Sequence, residues 1–325
     1  MSKKIKIGID IGKSAVKYCY EGGLGVTPSL LSTGMLNNIS NRKTSSSGAI
    51  RVNGVDYIVG ELATMGRGFS FAADEKKGTE RSLILVLKVL SDLGAGEAEI
   101  MVGLPVSSFA FERDSLKKIL TGEKKATING QLLTFNITPR IMMEPIGTYF
   151  FVICDEAGYV DKSSPYFKRE TAVIDIGWST LDVVSIRSGI LGEHRNSELL
   201  GASVLFEEVW KHLEMEHGML RSDEKMEICR TITKQPGANL VVGGRYVNPA
   251  IWSKIDNWKR QLAQSIIQSV RSTLRDSRPP IVLFTGGGSI LLRSQLKIEY
   301  PAFTLHDKAE YANAIGFYRS LLNLK

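Results

Sequence analysis

The stretch AVIDIGWSTLDVV, residues 172–184, opens as an apolar run and then places Asp175, Gly177, two small hydroxyls and a second acid, Asp182. Near the N-terminus KIGIDIGKSAVKY, residues 6–18, repeats the design: Ile9-Asp10-Ile11-Gly12-x-Ser14 lies over Ile174-Asp175-Ile176-Gly177-x-Ser179. A carboxylate at the end of a strand that reads as buried costs free energy unless something offsets it. Its occurrence twice, half a chain apart, points to a duplicated device with a role.

Working outward, each copy reads as strand, tight turn, strand. In the first copy the turn is Gly12-Lys13-Ser14. A serine-rich stretch, residues 38–50, reads as a loop. Asn53-Gly54 and Asn129-Gly130 mark two hairpins. Residues 80–93 and 109–121 have helical patterns, and AEIMVGLP, residues 98–105, is a buried strand stopped by Pro105. Glu144-Pro145 starts another helix, with proline in its first turn. The polar run KSSPYFKRE, residues 162–170, marks a domain boundary, after which the pattern restarts. Helices are expected at about 201–217, 222–234 and 250–276. IVLFTGGGSILL, residues 281–292, gives a buried strand, three glycines and a helix start, and a last helix follows. The chain is thus two α/β halves with a cleft between them.

Composition sets bounds. The 325 residues are 43% hydrophobic and 23% charged, ordinary for a globular protein with room for two domains. No apolar run reaches the length of about 20 residues that spans a bilayer. The basic-then-apolar N-terminus carries Asp10 and lacks a cleavage site, so it reads as a strand rather than a signal peptide. Cys19, Cys154 and Cys229 are odd in number and widely spaced, which argues against a disulfide framework or zinc site and for a reducing, cytoplasmic setting. The net charge is +7, but the basic pairs Lys3-Lys4, Lys76-Lys77, Lys117-Lys118 and Lys124-Lys125 are scattered, as on a solvated surface rather than in a nucleic-acid groove.

Turns rich in glycine and hydroxyls suit phosphate, because backbone N–H groups approach closely and Ser/Thr side chains add donors. Two such turns facing each other would grip a polyphosphate from both sides. Asp10 and Asp175 beside it suggest Mg²⁺, which keeps most of its waters. GIDIGKS, residues 8–14, is not a Walker loop: its glycines are one residue too close, and a strand follows instead of a helix. Gly286-Gly287-Gly288 is a nucleotide-contact candidate only through its strand-to-helix setting, and Leu291 rules out a dinucleotide fingerprint. Glu144 reads locally as a helix-end carboxylate favoured by the dipole; an acid there would also suit an attacking water.

These elements in this order resemble the actin/Hsp70/sugar-kinase superfamily. Asp10-Ile11-Gly12 looks like its first phosphate motif, Asp175 to Thr180 its second, and Thr285-Gly286-Gly287-Gly288 its adenosine motif. The helix after Glu144-Pro145 and the one carrying Asn313-Ala314-Ile315-Gly316 look like its connecting helices. Within the superfamily the chain is similar to the bacterial actin-like ParM/StbA group. That likeness rests on VDYIVGELA (55–63), AEIMVGLPVSSFAFERDSLKKIL (98–120) leading through an Asn-Gly hairpin to IMMEPIGTY (141–149), and SELLGASVLFEEVWKHL (197–213).

The resemblance implies an α/β fold of duplicated actin-like, ribonuclease H-like domains flanking a nucleotide cleft. Residues 1–163 with the C-terminal helix at about 309–325 would form one domain, and 164–308 the other. It implies ATP or ADP with Mg²⁺ held by Asp10 and Asp175 through water, and Glu144 and Asp175 as the catalytic acids. Gly12, Lys13, Ser14, Lys17, Gly177, Trp178, Ser179 and Thr180 would face the phosphates, with Glu224, Lys225 and Gly286 to Gly288 near ribose and adenine. Trp178 departs from the small residue common at its position and either narrows the phosphate site or packs against its rim. ParM-like proteins assemble head-to-tail into filaments with ATP and segregate plasmids through a DNA-binding adaptor of ParR type. That implies no direct DNA contact and no membrane. The chain length favours this over an Hsp70, which would continue into a peptide-binding domain. The alternatives are a small-molecule, sugar-type kinase, a filament protein outside segregation, and a direct DNA-binding module.

Overall fold

The structure, a computed structural model, describes residues 3–33, 49–65, 67–70, 76–275 and 279–323. Most of the serine-rich stretch, residues 38–48, lies outside the described residues, as does the end of the helix expected to reach residue 276.

The first half opens with β1 (Lys3–Ile11), β2 (Ala15–Tyr20) and β3 (Gly23–Pro28), an antiparallel meander. The short strands β4 (Leu31–Thr33), β5 (Ala49–Val52), β6 (Val55–Val59) and β7 (Arg67–Ser70) follow. Helix α1 (Glu80–Asp92) leads to β8 (Ala95–Leu104), which lies parallel to β1. Helix α2 (Phe109–Leu120) and β9 (Gly122–Ile128) lead to β10 (Gln131–Met143), parallel to β8, and then to α3 (Glu144–Ile153). The ten strands are ordered β3-β2-β1-β8-β10-β9-β5-β6-β4-β7. Asn53 and Gly54, and Asn129 and Gly130, all have positive φ, as two-residue primed turns demand.

One helical turn, α4 (Pro165–Lys168), sits inside the polar boundary segment, where the sequence reading has only a linker; Ser164 caps it and Pro165 starts it. The second half then repeats the first. The meander β11 (Thr171–Ile176), β12 (Leu181–Arg187) and β13 (Ile190–Glu198) is followed by α5 (Ser203–His217) and α6 (Ser222–Lys234). A small hairpin, β14 (Val241–Val242) with β15 (Arg245–Tyr246), precedes the long α7 (Ile251–Leu274). Strand β16 (Ile281–Thr285), helices α8 (Gly287–Leu291) and α9 (Arg293–Glu299), β17 (Thr304–Leu305) and α10 (Ala312–Leu322) complete it. The five-stranded order β13-β12-β11-β16-β17 matches β3-β2-β1-β8-β10 strand for strand, with the same meander and the same two parallel neighbours.

Each half has its own apolar core. Ile5, Ile7, Ile9, Ile100 and Val102 pack under α1 in the first; Ile174, Val183, Phe206, Ile266 and Phe284 anchor the second. The helix closing each half crosses to the other. Tyr149 and Ile153 of α3 pack on Val173 and Val184 of the second sheet, while α10 lies on β1 and β8 with Phe317 against Met101. The two helices meet at Gly147 and Gly316, where a Cβ on Gly316 would overlap the carbonyl of Gly147. No helix among the described residues is long and apolar enough to cross a membrane.

Candidate functional site

The register of the two hairpins sets the acids. Asp10 pairs across the ladder with Lys17, and Asp175 pairs at the matching position with Asp182. Opposed residues in an antiparallel pair project from the same face, so each hairpin presents two charged groups together. Asp10, Asp175 and Asp182 are all buried. They act on one another between the halves: burial lifts the Asp175 carboxyl to about 7, and the charges of Asp10 and Asp182 add to the rise. The Asn313 bond and the Lys17 ammonium pull it down. Burial also raises Asp182, opposed by the N–H of Val106, which donates to its Oδ1 over 2.7 Å, and by the hydroxyls of Ser197 and Thr180.

Below the acids runs a buried polar network. Asn313 donates to Asp175 Oδ2 over 2.6 Å, and Thr148 donates to Asn313 Oδ1 over 2.7 Å. Thr148 Oγ1 lies 3.1 Å from Thr285 Oγ1, whose hydroxyl donates to the Ala309 carbonyl over 3.0 Å. The network joins α3, α10, β11 and β16, and so ties both connecting helices to the metal-site candidate.

Glu144 begins α3 and is buried. Its carboxylate meets the ammonium of Lys77, and both side chains are about a tenth exposed, at 10% and 11%. Burial raises Glu144 above the ordinary carboxylate range, with Asp10, Asp182 and Asp175 adding to the effect against Lys77. Burial alone would lower Lys77, but Glu144, Asp10 and Asp182 outweigh it and keep the amine charged. This corrects the reading of Lys77 as solvated surface, while its neighbour Lys76 is exposed as expected. A lysine in a polar run carries no mark of burial in the sequence; only the long-range pairing reveals it.

The second turn is closed by Gly177 N–H donating to the Thr180 carbonyl over 2.9 Å. Ser203 N–H donates to the Trp178 carbonyl over 2.7 Å, which anchors the turn on the start of α5. The Trp178 ring stacks on Phe206 at 5.1 Å and 15°, so of its two expected roles the indole takes the packing one. In the first turn Ser29 donates through its backbone to the Ser14 carbonyl (3.0 Å) and through its hydroxyl to that of Gly12 (2.5 Å). Lys13 lies in this turn beside Ser14.

The glycine triplet has a divided role. Gly286 has φ +83°, and a Cβ there would strike Asp175 and Ile176; one on Gly288 would strike Ile176. Gly287 faces open space. Two of the three thus let β16 and α8 approach the second acid.

Glu224 and Lys225 lie apart from the acids, on α6. Glu224 accepts the N–H groups of Arg221 (3.0 Å) and Gly243 (2.8 Å), which hold its pKa down and lock the β14-β15 hairpin to the helix. Lys225 pairs with Glu214 at 2.9 Å and lies over the Trp210 ring. The same helix reaches the other half: Arg230 meets Glu61 at 2.9 Å, and Met226 packs against the cluster of Leu30, Ile58 and Ala63.

The residues fit a polyphosphate with a dication. The Ser179 hydroxyl on the second turn is buried with no hydrogen-bond partner, which a phosphate oxygen would supply. Two facing carboxylates, Asp10 and Asp175, can hold Mg²⁺ through its waters. No group of three or more His, Cys, Asp or Glu among the described residues could hold a metal ion directly.

Residues 8–147 match the family model of actin-like proteins, N-terminal domain, and residues 173–298 match that of the archaeal actin homologue MreB-like, C-terminal domain. The chain thus carries an actin-like N-terminal domain and an MreB-like C-terminal domain in an actin-like fold. No curated protein matches it. Among solved structures it is similar to a pCBH ParM non-polymerisable quadruple mutant (21% identity, 97% and 98% of the two chains, TM-score 0.80). A 15-stranded ParM filament from Clostridium botulinum aligns with 22% identity, 98% and 99% coverage and a TM-score of 0.79. The archaeal actin homolog Ta0583 in complex with ADP aligns with 20% identity, 98% and 99% coverage and a TM-score of 0.76. At these identities the likeness is one of fold.

Proposed function

We propose that this actin-like protein is an ATPase that binds Mg·ATP between its halves, polymerises head-to-tail while ATP is bound, and moves DNA through an adaptor of ParR type. The observation that carries the reading is the meeting of two acid-tipped hairpins of one design, Asp10 and Asp175 acting on each other across a single cleft. An ADP complex of one fold relative and a filament of another support it.

Asp10 and Asp175 would hold a hydrated Mg²⁺, which would neutralise phosphate charge when bound. The turn N–H groups, Ser14, Ser179 and Thr180 hold the phosphates, and Lys17 adds a cation from the first hairpin. Glu144 holds the attacking water and takes its proton as the water oxygen bonds the terminal phosphorus. The bond to the bridging oxygen breaks, and ADP leaves with that electron pair. A triphosphate contacting both turns favours the closed arrangement of the halves, and loss of the third phosphate weakens it. Head-to-tail contact is a heterologous interface whose rotation does not close, which gives a filament.

The test is phosphate release from Mg·ATP by the purified protein, with and without candidate sugars. Release without an acceptor supports the ATPase; phosphorylated sugar in its place would establish a kinase.

A further inference from the structure

Lys77 sits where the charges of the cleft converge. Its ammonium touches Glu144, and Asp10 and Asp182 also act on it. Its backbone is fixed, because the N–H groups of Lys77 and Gly78 donate to Glu112 Oε2 over 2.7 and 3.3 Å. Helix α2 thus pins the segment, while the four-carbon stem leaves the ammonium free to reorient.

The charge balance gives this amine a task. Asp10, Glu144, Asp175 and Asp182 bring four carboxylates to one cleft. A polyphosphate adds further negative charge, and like charges repel more strongly in a partly buried site than in bulk water. Lys17 acts on Asp175 from the first hairpin, and Lys77 is the cation seated on Glu144. While Lys77 occupies Glu144 Oε1, that oxygen is engaged and less able to take a proton from water.

We infer that Lys77 exchanges Glu144 for the terminal phosphate of bound ATP, so that Glu144 is freed to hold water only when a third phosphate is present. This rests on the ATPase reading above. Lys77 is then a phosphate sensor: with ADP it stays on Glu144, and with ATP it moves to the phosphate. The pair thereby links the number of phosphates to the availability of the hydrolytic acid.

The experiment is calorimetric binding of ADP and of a non-hydrolysable ATP analogue, with Mg²⁺, to wild type, Lys77→Met, Glu144→Gln and the double variant. Lys77→Met should weaken the triphosphate analogue about tenfold relative to ADP, the loss of one charge-assisted contact. Glu144→Gln should shift the ratio the opposite way, because Lys77 loses its competing carboxylate. The double variant should match Lys77→Met, and with neither charge present it leaves no buried ion stranded, so it reports even where Lys77→Met folds poorly. An unchanged triphosphate-to-diphosphate ratio across the set would overturn the inference while leaving the ATPase reading intact. Binding of neither nucleotide by the wild type would overturn both.

Discussion

Asn313 Nδ2 donates to Asp175 Oδ2 over 2.6 Å, so the last helix of the chain holds the acid that ends the central strand of the second half. The bond favours the ionised carboxylate that a dication needs. Asn313→Ala should raise the Asp175 pKa further, weaken Mg·nucleotide binding near neutral pH and restore it at higher pH. It should also cost about 1–3 kcal/mol of stability, since Thr148 loses its acceptor in a buried network. Binding isotherms from pH 6 to 9, with urea unfolding, check both; a pH profile identical to wild type would deny Asn313 this role.

The pH dependence of the wild type has a definite sign. Asp175 rises from 3.8 to about 7 on folding, mainly by burial. The folded state therefore binds a proton more tightly than the unfolded chain. The stability this group contributes is full below about pH 4 and is lost as pH rises towards 7, to the extent of roughly 4 kcal/mol at most. Mg·nucleotide binding needs the ionised form and should release a proton when performed near pH 6.5. Calorimetry in buffers of different ionisation enthalpy measures that release, which should vanish by about pH 8.5.

The hairpin acids and both turns were legible in the sequence because a short local repeat encodes them. The same repeat gave two strands of each half; the third strand of each meander, Gly23–Pro28 and Ile190–Glu198, lies outside the repeated motif and appears only in the fold. Lys77 was not legible: its partner lies 67 residues away, and a lysine pair in a polar run looks solvated. Asp182 could have been found, because it stands to Asp175 as Lys17 stands to Asp10, and hairpin register alone makes them neighbours. Glu224 and Lys225, expected near ribose and adenine, have local partners that the sequence did not show: Glu224 closes the first turn of α6 and Lys225 pairs with Glu214.

The crossing of α3 and α10 supplies a test of packing against propensity. Alanine normally stabilises a helix over glycine by about 1 kcal/mol. Gly316→Ala should do the reverse, because its Cβ would overlap the Gly147 carbonyl. A loss of about 1–3 kcal/mol in thermal or urea unfolding is expected. A more stable variant would show that the helices can move apart freely.

The Glu61–Arg230 contact between the two halves should govern nucleotide exchange more than stability. Glu61 and Arg230 are both exposed, so their pair contributes at most about 1 kcal/mol. Arg230→Glu should speed release of a fluorescent ADP several-fold in stopped flow, with little change in unfolding midpoint. Combining it with Glu61→Arg should restore much of the wild-type rate.

Glu144→Gln should leave nucleotide binding in place and slow phosphate release by about 100-fold or more. Filaments of this variant should persist after those of the wild type have decayed. Wild-type turnover would reduce Glu144 to a helix-end acid paired with Lys77.

The most direct test of the central claim is sedimentation with light scattering of the purified protein in Mg·ATP, Mg·ADP and no nucleotide. Assembly in Mg·ATP that decays as phosphate accumulates, with no comparable pellet in the other two, is the result predicted. Nucleotide hydrolysis with no polymer across a range of salt and protein concentration would contradict it.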